Sequence, residues 1–144
     1  MSDRPRILFL CTGNSCRSQM AEGFARYLKS DVFDAYSAGV EKHGLNPHAV
    51  SVMAEAGVDI TGHQSNTTDE LPVSEFHYVV TVCDSARERC PWFPAKTRLI
   101  HRSFPDPPTL TKDMPDGDEK LGVYRRVRDE IRDFIETLPE ALDA

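Results

Sequence analysis

The amino-acid sequence predicts a three-layer α/β fold, in which a four-stranded parallel sheet carries helices on both faces. Short apolar runs alternate along the chain with longer segments of helical periodicity, which favours parallel strands joined by right-handed crossovers. One run, residues 77–82, is uninterrupted and rich in β-branched side chains, as is typical of a central parallel strand. The length of 144 residues and the hydrophobic content of 40% suit a single domain, residues 1–144.

The first strand and the first helix are predicted from an apolar run and the periodic segment that follows it. Residues 6–11 form a short apolar run that ends at a cysteine, which indicates a buried parallel strand. In residues 18–29, Met20, Phe24 and Leu28 recur every four positions. This spacing places the three side chains on one helical face, so we expect the helix to cover the sheet.

A second strand and a second helix follow. Residues 32–38 predict the strand, and Gly39 closes it. The helix begins at Asn46 and Pro47, because asparagine is a favourable N-cap residue and proline suits the first helical position. Gly57 is expected to end this helix.

The second half of the chain is predicted to add a short helix at residues 67–74 and a fourth strand at residues 97–101. Four prolines and a glycine make residues 103–118 a loop. The last helix is predicted at residues 118–138, and Pro139 ends it. Its buried stripe is expected to comprise Leu121, Tyr124, Val127, Ile131, Phe134 and Leu138.

Three candidate functional residues follow different strands of this predicted sheet. Cys11 ends the first strand, Cys83 follows the third, and Asp106 lies in the loop after the fourth. The carboxyl ends of parallel strands meet at one edge of a sheet, and ligands bind there. We therefore expect these three side chains to converge on one site.

Charge and composition exclude several classes of protein. The net charge of −6 makes nucleic acid or an anionic membrane an unsuitable partner. Residues 1–6 lead into too few apolar residues for a signal peptide, and no apolar run approaches the length of a membrane span. We therefore expect a cytoplasmic monomer whose four cysteines are thiols at rest.

The segment at residues 11–18, Cys-Thr-Gly-Asn-Ser-Cys-Arg-Ser, has the composition of an anion-binding loop between a strand and a helix. Such a loop can point its N–H groups inward, and the helix start adds its positive end. Gly13 can take a positive φ, and Asn14 tolerates the left-handed region and can brace the loop with its amide. Arg17 can donate two parallel hydrogen bonds to an oxyanion. The predicted oxyanion-binding residues are Thr12, Gly13, Asn14, Ser15, Cys16, Arg17 and Ser18.

Within this loop, Cys11 is the candidate nucleophile. The positive surroundings favour its thiolate, and the hydroxyl of Ser18 can stabilise the thiolate or cap the helix. In the alternative interpretation, Cys11 is a buried structural cysteine and Arg17 a surface residue. The preceding strand, the following helix and the Gly-Asn-Ser sequence between them favour the anion site.

Two further cysteines, Cys83 and Cys90, stand seven positions apart. If the intervening segment is helical, their Cα atoms lie about 10.5 Å apart, whereas a disulfide requires about 7 Å or less. The segment would therefore have to unwind before the two thiols could bond, which suggests a redox switch. Two inert buried thiols are the alternative. The spacings do not match common zinc sites, so we predict no metal.

Asp106 is the candidate general acid. Prolines on both sides fix its backbone, so its carboxyl group can be held over the anion. The alternative is a simple turn aspartate. The sequence alone leaves both open.

Residues 11–22 resemble the catalytic loop of the thioredoxin-coupled arsenate reductases, which share the fold of the low-molecular-weight tyrosine phosphatases. Gln19 stands where many of these phosphatases have proline, which favours the reductases. The resemblance covers nearly the whole chain. It continues through residues 36–39, 43–47, 79–83, 90–91, 106–107 and 126–131.

This resemblance implies a thiol relay with no tightly bound cofactor. Cys11 attacks arsenate while Arg17 and the loop N–H groups hold its oxygens, and Asp106 protonates the departing hydroxyl. Cys83 then attacks Cys11, which releases arsenite, and Cys90 carries the disulfide outward. Thioredoxin is the implied external reductant, with a glutaredoxin–glutathione system as the alternative donor.

The resemblance also bears on potassium, which such reductases often bind beside the loop through the equivalents of Asn14 and Ser37 and a Thr-Ser-Asp run. Here that run is Gln-Ser-Asn at residues 64–66. The carboxylate is missing, which disfavours potassium binding.

Two rival functions use the same residues. A low-molecular-weight phosphatase would form a phosphoenzyme on Cys11, with Arg17 and Asp106 in the same roles. It would need one thiol and no redox partner, so Cys83 and Cys90 favour the reductase. An oxyanion sensor would need a partner surface or a DNA-binding element, and the chain shows no basic recognition helix.

Overall fold

The structure, a computed structural model, describes residues 4–91 and 93–143, without the side chains of Ser85 and Asp143. The predicted domain of residues 1–144 and the N-terminal stretch interpreted as lacking a signal peptide extend beyond the described residues. Among the helices of the described residues, none is both long and apolar enough to cross a lipid bilayer.

Four parallel strands form one sheet in the order β2-β1-β3-β4. Strand β1 is central, and Leu8 pairs with Tyr36 on one side and with Val79 on the other. Its side chains from residue 7 to residue 11 are all buried, as expected for a strand covered on both faces. The predicted four-stranded parallel α/β fold is therefore confirmed. The strands are β1 (Arg6–Cys11), β2 (Asp34–Gly39), β3 (Tyr78–Thr81) and β4 (Arg98–His101).

Five α-helices are assigned within the described residues, and the longer ones pack on the sheet and on one another. The helix at residues 17–28 contacts β1, β2 and the helix at residues 118–136. The helix at residues 47–55 packs mainly against the helix at residues 118–136. The short third helix contacts β1 and β3. Buried apolar side chains of the strands and helices form one continuous core. The helices are α1 (Arg17–Leu28), α2 (Pro47–Glu55), α3 (Asp84–Glu88), α4 (Pro107–Leu110) and α5 (Asp118–Glu136).

The predicted strand at residues 32–38 and the predicted helix at residues 67–74 differ in extent from the structure. Strand β2 begins at Asp34, because the N–H groups of Val32 and Phe33 both donate to the carbonyl oxygen of Lys29 and form a turn. The helix predicted at residues 67–74 is only a 3₁₀ turn, Thr68–Glu70.

The interpretation of residues 103–118 as a loop throughout was wrong, because α4 lies within them. Pro107 and Pro108 occupy the first two helical positions, where a missing N–H removes no helical hydrogen bond. Asp106 is the N-cap residue. The hydroxyl of the buried Thr111 donates to the carbonyl oxygen of Pro107 at 2.7 Å and fixes the helix from its other end.

Helix α5 carries the predicted apolar stripe, but it ends at Glu136 and not at residue 138. Leu121 is only partly buried, whereas Ile135 joins the core. The members of the predicted stripe that are buried are Tyr124, Val127, Ile131, Phe134 and Leu138.

Candidate active site

Two adjoining cavities lie at the carboxyl edge of the sheet, where the candidate residues were expected to converge. The first is about 320 Å³ and is lined by Cys11, Thr12, Gly13, Ser15, Cys16, Arg17, His43, Asn46, Asp106 and Pro108. The second is about 620 Å³ and is lined by Thr12, Arg17, Cys83, Asp84, Ser103, Phe104, Pro105 and Asp106. Because Thr12, Arg17 and Asp106 line both, we call the first the anion pocket and the second the thiol cleft of one site.

The loop between β1 and α1 forms the floor of the anion pocket. The carbonyl oxygens of Thr12, Gly13 and Ser15 each accept a hydrogen bond, at 2.9–3.0 Å, from a backbone N–H within residues 41–46. These bonds hold the carbonyl groups on the outside of the loop. The N–H groups of the loop are therefore available to an anion at its centre, where the start of α1 adds positive potential.

Asn14 adopts the left-handed conformation that it was expected to tolerate, with φ 48°, whereas Gly13 does not use its freedom to take a positive φ. A Cβ atom at Gly13 would lie 2.2 Å from Nδ1 of His43, so the His43 side chain would have to move. Glycine is required at position 39, since a Cβ there would lie 2.2 Å from the carbonyl oxygen of Glu41 and 2.7 Å from the backbone nitrogen of Asn14.

A chain of hydrogen bonds leads from Asn14 to the sulfur of Cys11. The amide nitrogen of the buried Asn14 side chain donates to the hydroxyl oxygens of Ser18, at 2.9 Å, and Ser37, at 3.0 Å. Ser18 lies 2.9 Å from the sulfur of Cys11. The Ser18 oxygen accepts from Asn14, so its own proton is free to be donated to the sulfur. Such a bond would suit a thiolate at Cys11.

The alternative role of Ser18 as a helix cap was wrong. Helix α1 begins at Arg17, and Cys16 holds the N-cap position. Cys16 is buried, and burial raises the pKa of its thiol strongly, with further increases from the negative charges of Cys11 and Asp106. Cys16 therefore stays a neutral thiol beside the nucleophile.

The hydroxyl of Ser37 donates in turn to Glu22 at 2.5 Å, and the other carboxylate oxygen of Glu22 pairs with Arg26 at 2.8 Å. The side-chain oxygen of Asn14 accepts from the backbone N–H of Asn66 at 2.8 Å. The side-chain oxygens of Asn14 and Ser37 thus have protein partners, and the carboxylate of Glu22 is paired with Arg26.

Arg17 and Asp106 face each other across the mouth of the anion pocket. Nη2 of Arg17 lies 3.4 Å from Oδ1 of Asp106, and Nη1 donates to the carbonyl oxygen of Phe104 at 3.0 Å. The other carboxylate oxygen of Asp106, Oδ2, accepts a hydrogen bond from the hydroxyl of Thr109 at 2.5 Å. The acid and the guanidinium are therefore both positioned before any anion binds.

Cys83 lies in the thiol cleft, and its sulfur is 3.3 Å from the hydroxyl of Thr12. The same sulfur accepts from the backbone N–H of Ala86 at 3.4 Å, in the first turn of α3. Cys90 lies just beyond α3 and is half-buried, and this burial raises the pKa of its thiol. All four cysteines are free thiols in this structure.

Sequence reasoning did not single out Glu22, His43 or Thr109. Thr109 follows Asp106 by three positions, a spacing that commonly links a cap residue to the first helical turn, so a signal was present. Glu22 and Arg26 have the spacing of a helical ion pair, but nothing in the sequence linked them to the loop. No local pattern marked His43. Within residues 4–91 and 93–143, no group of three or more His, Cys, Asp and Glu side chains is placed to hold a metal ion.

Comparison with known proteins gives relatives of two activities. Residues 6–144 match the model of the low molecular weight phosphotyrosine protein phosphatase family. An arsenate reductase of Halalkalibacterium halodurans is 47% identical over 134 residues, which cover 93% of this chain and 94% of that protein.

Two solved structures have the same fold. A low molecular weight protein tyrosine phosphatase from T. tengcongensis superposes with a TM-score of 0.76 and 27% identity, over 95% of this chain and 99% of that one. An arsenate reductase from Archaeoglobus fulgidus superposes with a TM-score of 0.69 and 29% identity, over 96% of this chain and 99% of that one.

Proposed function

The chain belongs to the low molecular weight phosphotyrosine protein phosphatase family, and on that premise we propose that it reduces arsenate to arsenite through Cys11, Cys83 and Cys90. The observation that carries this proposal is the second thiol beside the anion pocket. Cys83 lines the thiol cleft, and its sulfur contacts Thr12, which lines both cavities. Relatives named arsenate reductase, at 41–47% identity, support the same substrate.

The first step is capture without a change of oxidation state. The thiolate of Cys11 attacks the arsenic atom of arsenate, whose oxygens the loop N–H groups and Arg17 hold. One As–O bond breaks, and Asp106 supplies the proton that lets this oxygen leave as water. The product is a thiol–arsenate adduct in which arsenic is still pentavalent.

The second step is the reduction. The thiolate of Cys83 attacks the sulfur of Cys11, the S–As bond breaks, and its electron pair stays on arsenic. Arsenic leaves as trivalent arsenite, and the two sulfurs form a disulfide. Cys90 then attacks Cys83, which restores the Cys11 thiolate and leaves a Cys83–Cys90 disulfide.

An external dithiol must supply the two electrons for the next cycle, and we propose thioredoxin. Cys90 is the least buried of the relay thiols, so the Cys83–Cys90 disulfide is the one that a protein reductant can reach. Thiols persist in the cytoplasm, where we place the reaction. Every residue of the scheme lies on one chain, so a monomer is sufficient.

Hydrolysis of phosphate monoesters is the second candidate function. The same loop, Arg17 and Asp106 would form and cleave a phosphoenzyme on Cys11, and the family match supports this chemistry. Hydrolysis uses no second thiol, however, and it leaves the position of Cys83 in the cleft without a role. We therefore assign phosphate-ester hydrolysis as a weak side activity.

Turnover of arsenate with a thioredoxin system, compared with a glutaredoxin–glutathione system, tests the proposal. Cys83→Ser should abolish arsenate turnover and spare the hydrolysis of an aryl phosphate by the same protein, which serves as the internal control. Equal loss of both activities would contradict a two-stage scheme. Cys90→Ser should accumulate a Cys11–Cys83 disulfide after arsenate is added, and peptide mass mapping that finds no such bridge would exclude the relay.

A further inference from the structure

The two carboxylate oxygens of Asp106 have different partners. Oδ1 faces Arg17 at 3.4 Å on the pocket side, whereas Oδ2 accepts from the hydroxyl of Thr109 at 2.5 Å. Among the described residues, these are the two side chains that hold the carboxylate. The carboxylate is about one third exposed, so contacts and not burial must fix its orientation.

The contact with Thr109 takes the place of a capping bond that the backbone does not make. An aspartate at an N-cap normally accepts from the N–H of the second or third helical residue. Here the first two helical residues, Pro107 and Pro108, have no N–H to give. In the described part of the chain, Asp106 accepts no capping bond from the backbone of α4. The hydroxyl of Thr109 supplies the missing donor.

Substrate binding makes this donor more important. An oxyanion in the anion pocket competes for the guanidinium of Arg17, which is the other contact of the Asp106 carboxylate. When Arg17 turns its donors to the anion, the hydroxyl of Thr109 remains to hold the acid. The bond is thus needed most in the state in which proton transfer occurs.

We propose that Thr109 is a positioning residue for the general acid Asp106, an inference that rests on the acid role given to Asp106 in the proposed function. The hydroxyl proton of Thr109 is donated to Oδ2, and the carbonyl oxygen of a protonated carboxyl group is its better acceptor. This bond therefore favours the acid form whose proton sits on Oδ1. Oδ1 is the oxygen that faces the anion pocket, where the leaving oxygen must receive the proton.

The test removes the hydroxyl but keeps the shape of the side chain. Thr109→Val should slow single-turnover reaction of the reduced protein with saturating arsenate by about tenfold, which is part of the 10²–10⁴-fold effect of a general acid. Thr109→Ser should restore the rate to within about twofold, because it keeps the donor. The arsenate concentration at half saturation should change by less than about twofold, because Thr109 is not an anion ligand.

A double-mutant cycle separates positioning from a structural effect. In the Asp106→Asn background, Thr109→Val should have no further effect on the rate, because the acid is already absent. An equal slowing in both backgrounds, or no slowing in either, would overturn the proposal. Thr61→Val is the matched control, since Thr61 makes the same kind of bond to Asp59, at 2.6 Å, outside the site. It should leave the rate unchanged.

A second readout does not depend on arsenate reduction. With aryl phosphates, Thr109→Val should slow the hydrolysis of phenyl phosphate, whose leaving group needs a proton, about tenfold more than that of 2,4-dinitrophenyl phosphate. If the native chain hydrolyses both esters but does not turn over arsenate, the proposed reductase function fails while Thr109 is still tested. Equal slowing of both esters would refute the positioning role, and a native chain inactive on every substrate would refute both proposals.

Discussion

At the scale of single residues, the reactivity of Cys11 depends on the direction of a few hydrogen bonds. Asn14 has two side-chain N–H donors and gives one each to Ser18 and Ser37. This leaves the hydroxyl proton of Ser18 free for the sulfur, 2.9 Å away. A hydrogen bond to a charged group contributes about 1.5–3 kcal/mol, so one hydroxyl can change the reactivity of the thiolate by an order of magnitude.

Ser18→Ala should therefore slow the alkylation of Cys11 by iodoacetamide about tenfold at neutral pH, because the thiolate loses its hydroxyl donor. The rate can be followed by mass spectrometry of the Cys11 peptide. Ser51→Ala, at an exposed position of α2, is the matched control and should react as the native protein does. An unchanged rate in Ser18→Ala would show that the hydroxyl does not stabilise the thiolate.

Cys90 gives the relay a predicted pH dependence. Burial raises the pKa of its thiol above the usual value of 9.0, so Cys90 is protonated at neutral pH, and only the thiolate can attack a disulfide. The transfer of the disulfide from Cys11–Cys83 to Cys83–Cys90 should accelerate about tenfold per pH unit between about pH 7 and 9. Rapid acid quenching with thiol mapping measures this step, and a flat profile in that range would contradict the assignment.

Sequence patterns identified the reacting groups of the site better than their supports. Cys11, Arg17 and Asp106 follow from residue type and from their place after predicted strands. The close approach of the His43 side chain to position 13 could not be derived, because His43 is thirty positions away and meets the loop only in the folded chain. Contacts of this kind depend on tertiary packing, and a local pattern does not contain them.

At the scale of elements, α3 is a short helix held at both ends by side chains of other segments. Asp84, in its first turn, pairs with His101 at 3.0 Å. Beyond its last turn, Arg89 pairs with Glu41 at 3.2 Å. The sulfur of Cys83 also accepts an N–H of the first turn. Formation of a Cys83–Cys90 disulfide should disturb this arrangement, because the two thiols flank the helix Asp84–Glu88 and their Cα atoms must come within about 7 Å.

Hydrogen exchange should report the change in α3. In the Cys83–Cys90 disulfide form, the amides of Asp84–Glu88 should exchange at least about tenfold faster than in the reduced protein, since the helix loses its cap and its geometry. The amides of α2 should keep the same rate in both forms and serve as the control. Equal protection of α3 in the two forms would mean that the thiols meet without unwinding.

Element types were predicted more accurately than element ends. Strand β1 and the Asn46 start of α2 match the sequence interpretation, because a buried apolar run and an N-cap before proline are local signals. Helix α4 was missed because Pro107 and Pro108 were counted as breakers, although both stand in the first turn, where proline is tolerated. The later start of β2 depends on turn bonds to Lys29 that no residue pattern showed.

At the scale of the whole molecule, the same polar network that supports the loop makes folding sensitive to pH. His63 lies beside Glu22, and burial lowers the pKa of its imidazole. The negative charge of Glu22 raises this pKa, whereas the positive charge of Arg26 lowers it further. The unfolded chain, with an ordinary histidine pKa near 6.5, therefore binds more protons than the folded chain just below that pH. The contribution of His63 to stability should be fully present above about pH 6.5 and should be lost as the pH falls from that value through the lower pKa of the folded state.

Urea unfolding at several pH values tests this linkage. The free energy of unfolding should fall on acidification below about pH 6.5, by no more than about 1.4 kcal/mol per pH unit for one proton. His63→Gln cannot take up the proton, so its stability should depend less on pH in this range. Parallel curves for the two proteins would show that another group causes the loss.

The two cavities at the carboxyl edge of the sheet also have a consequence for steady-state kinetics. In the proposed scheme the oxyanion enters through the anion pocket, whereas the reductant reacts at Cys90, beyond α3. Two substrates that react with separate surfaces of one catalyst need not obstruct each other. An excess of the protein reductant should therefore not act as a competitive inhibitor against arsenate. Arsenate and the reductant nevertheless react alternately, because each turnover needs one reaction with each of them.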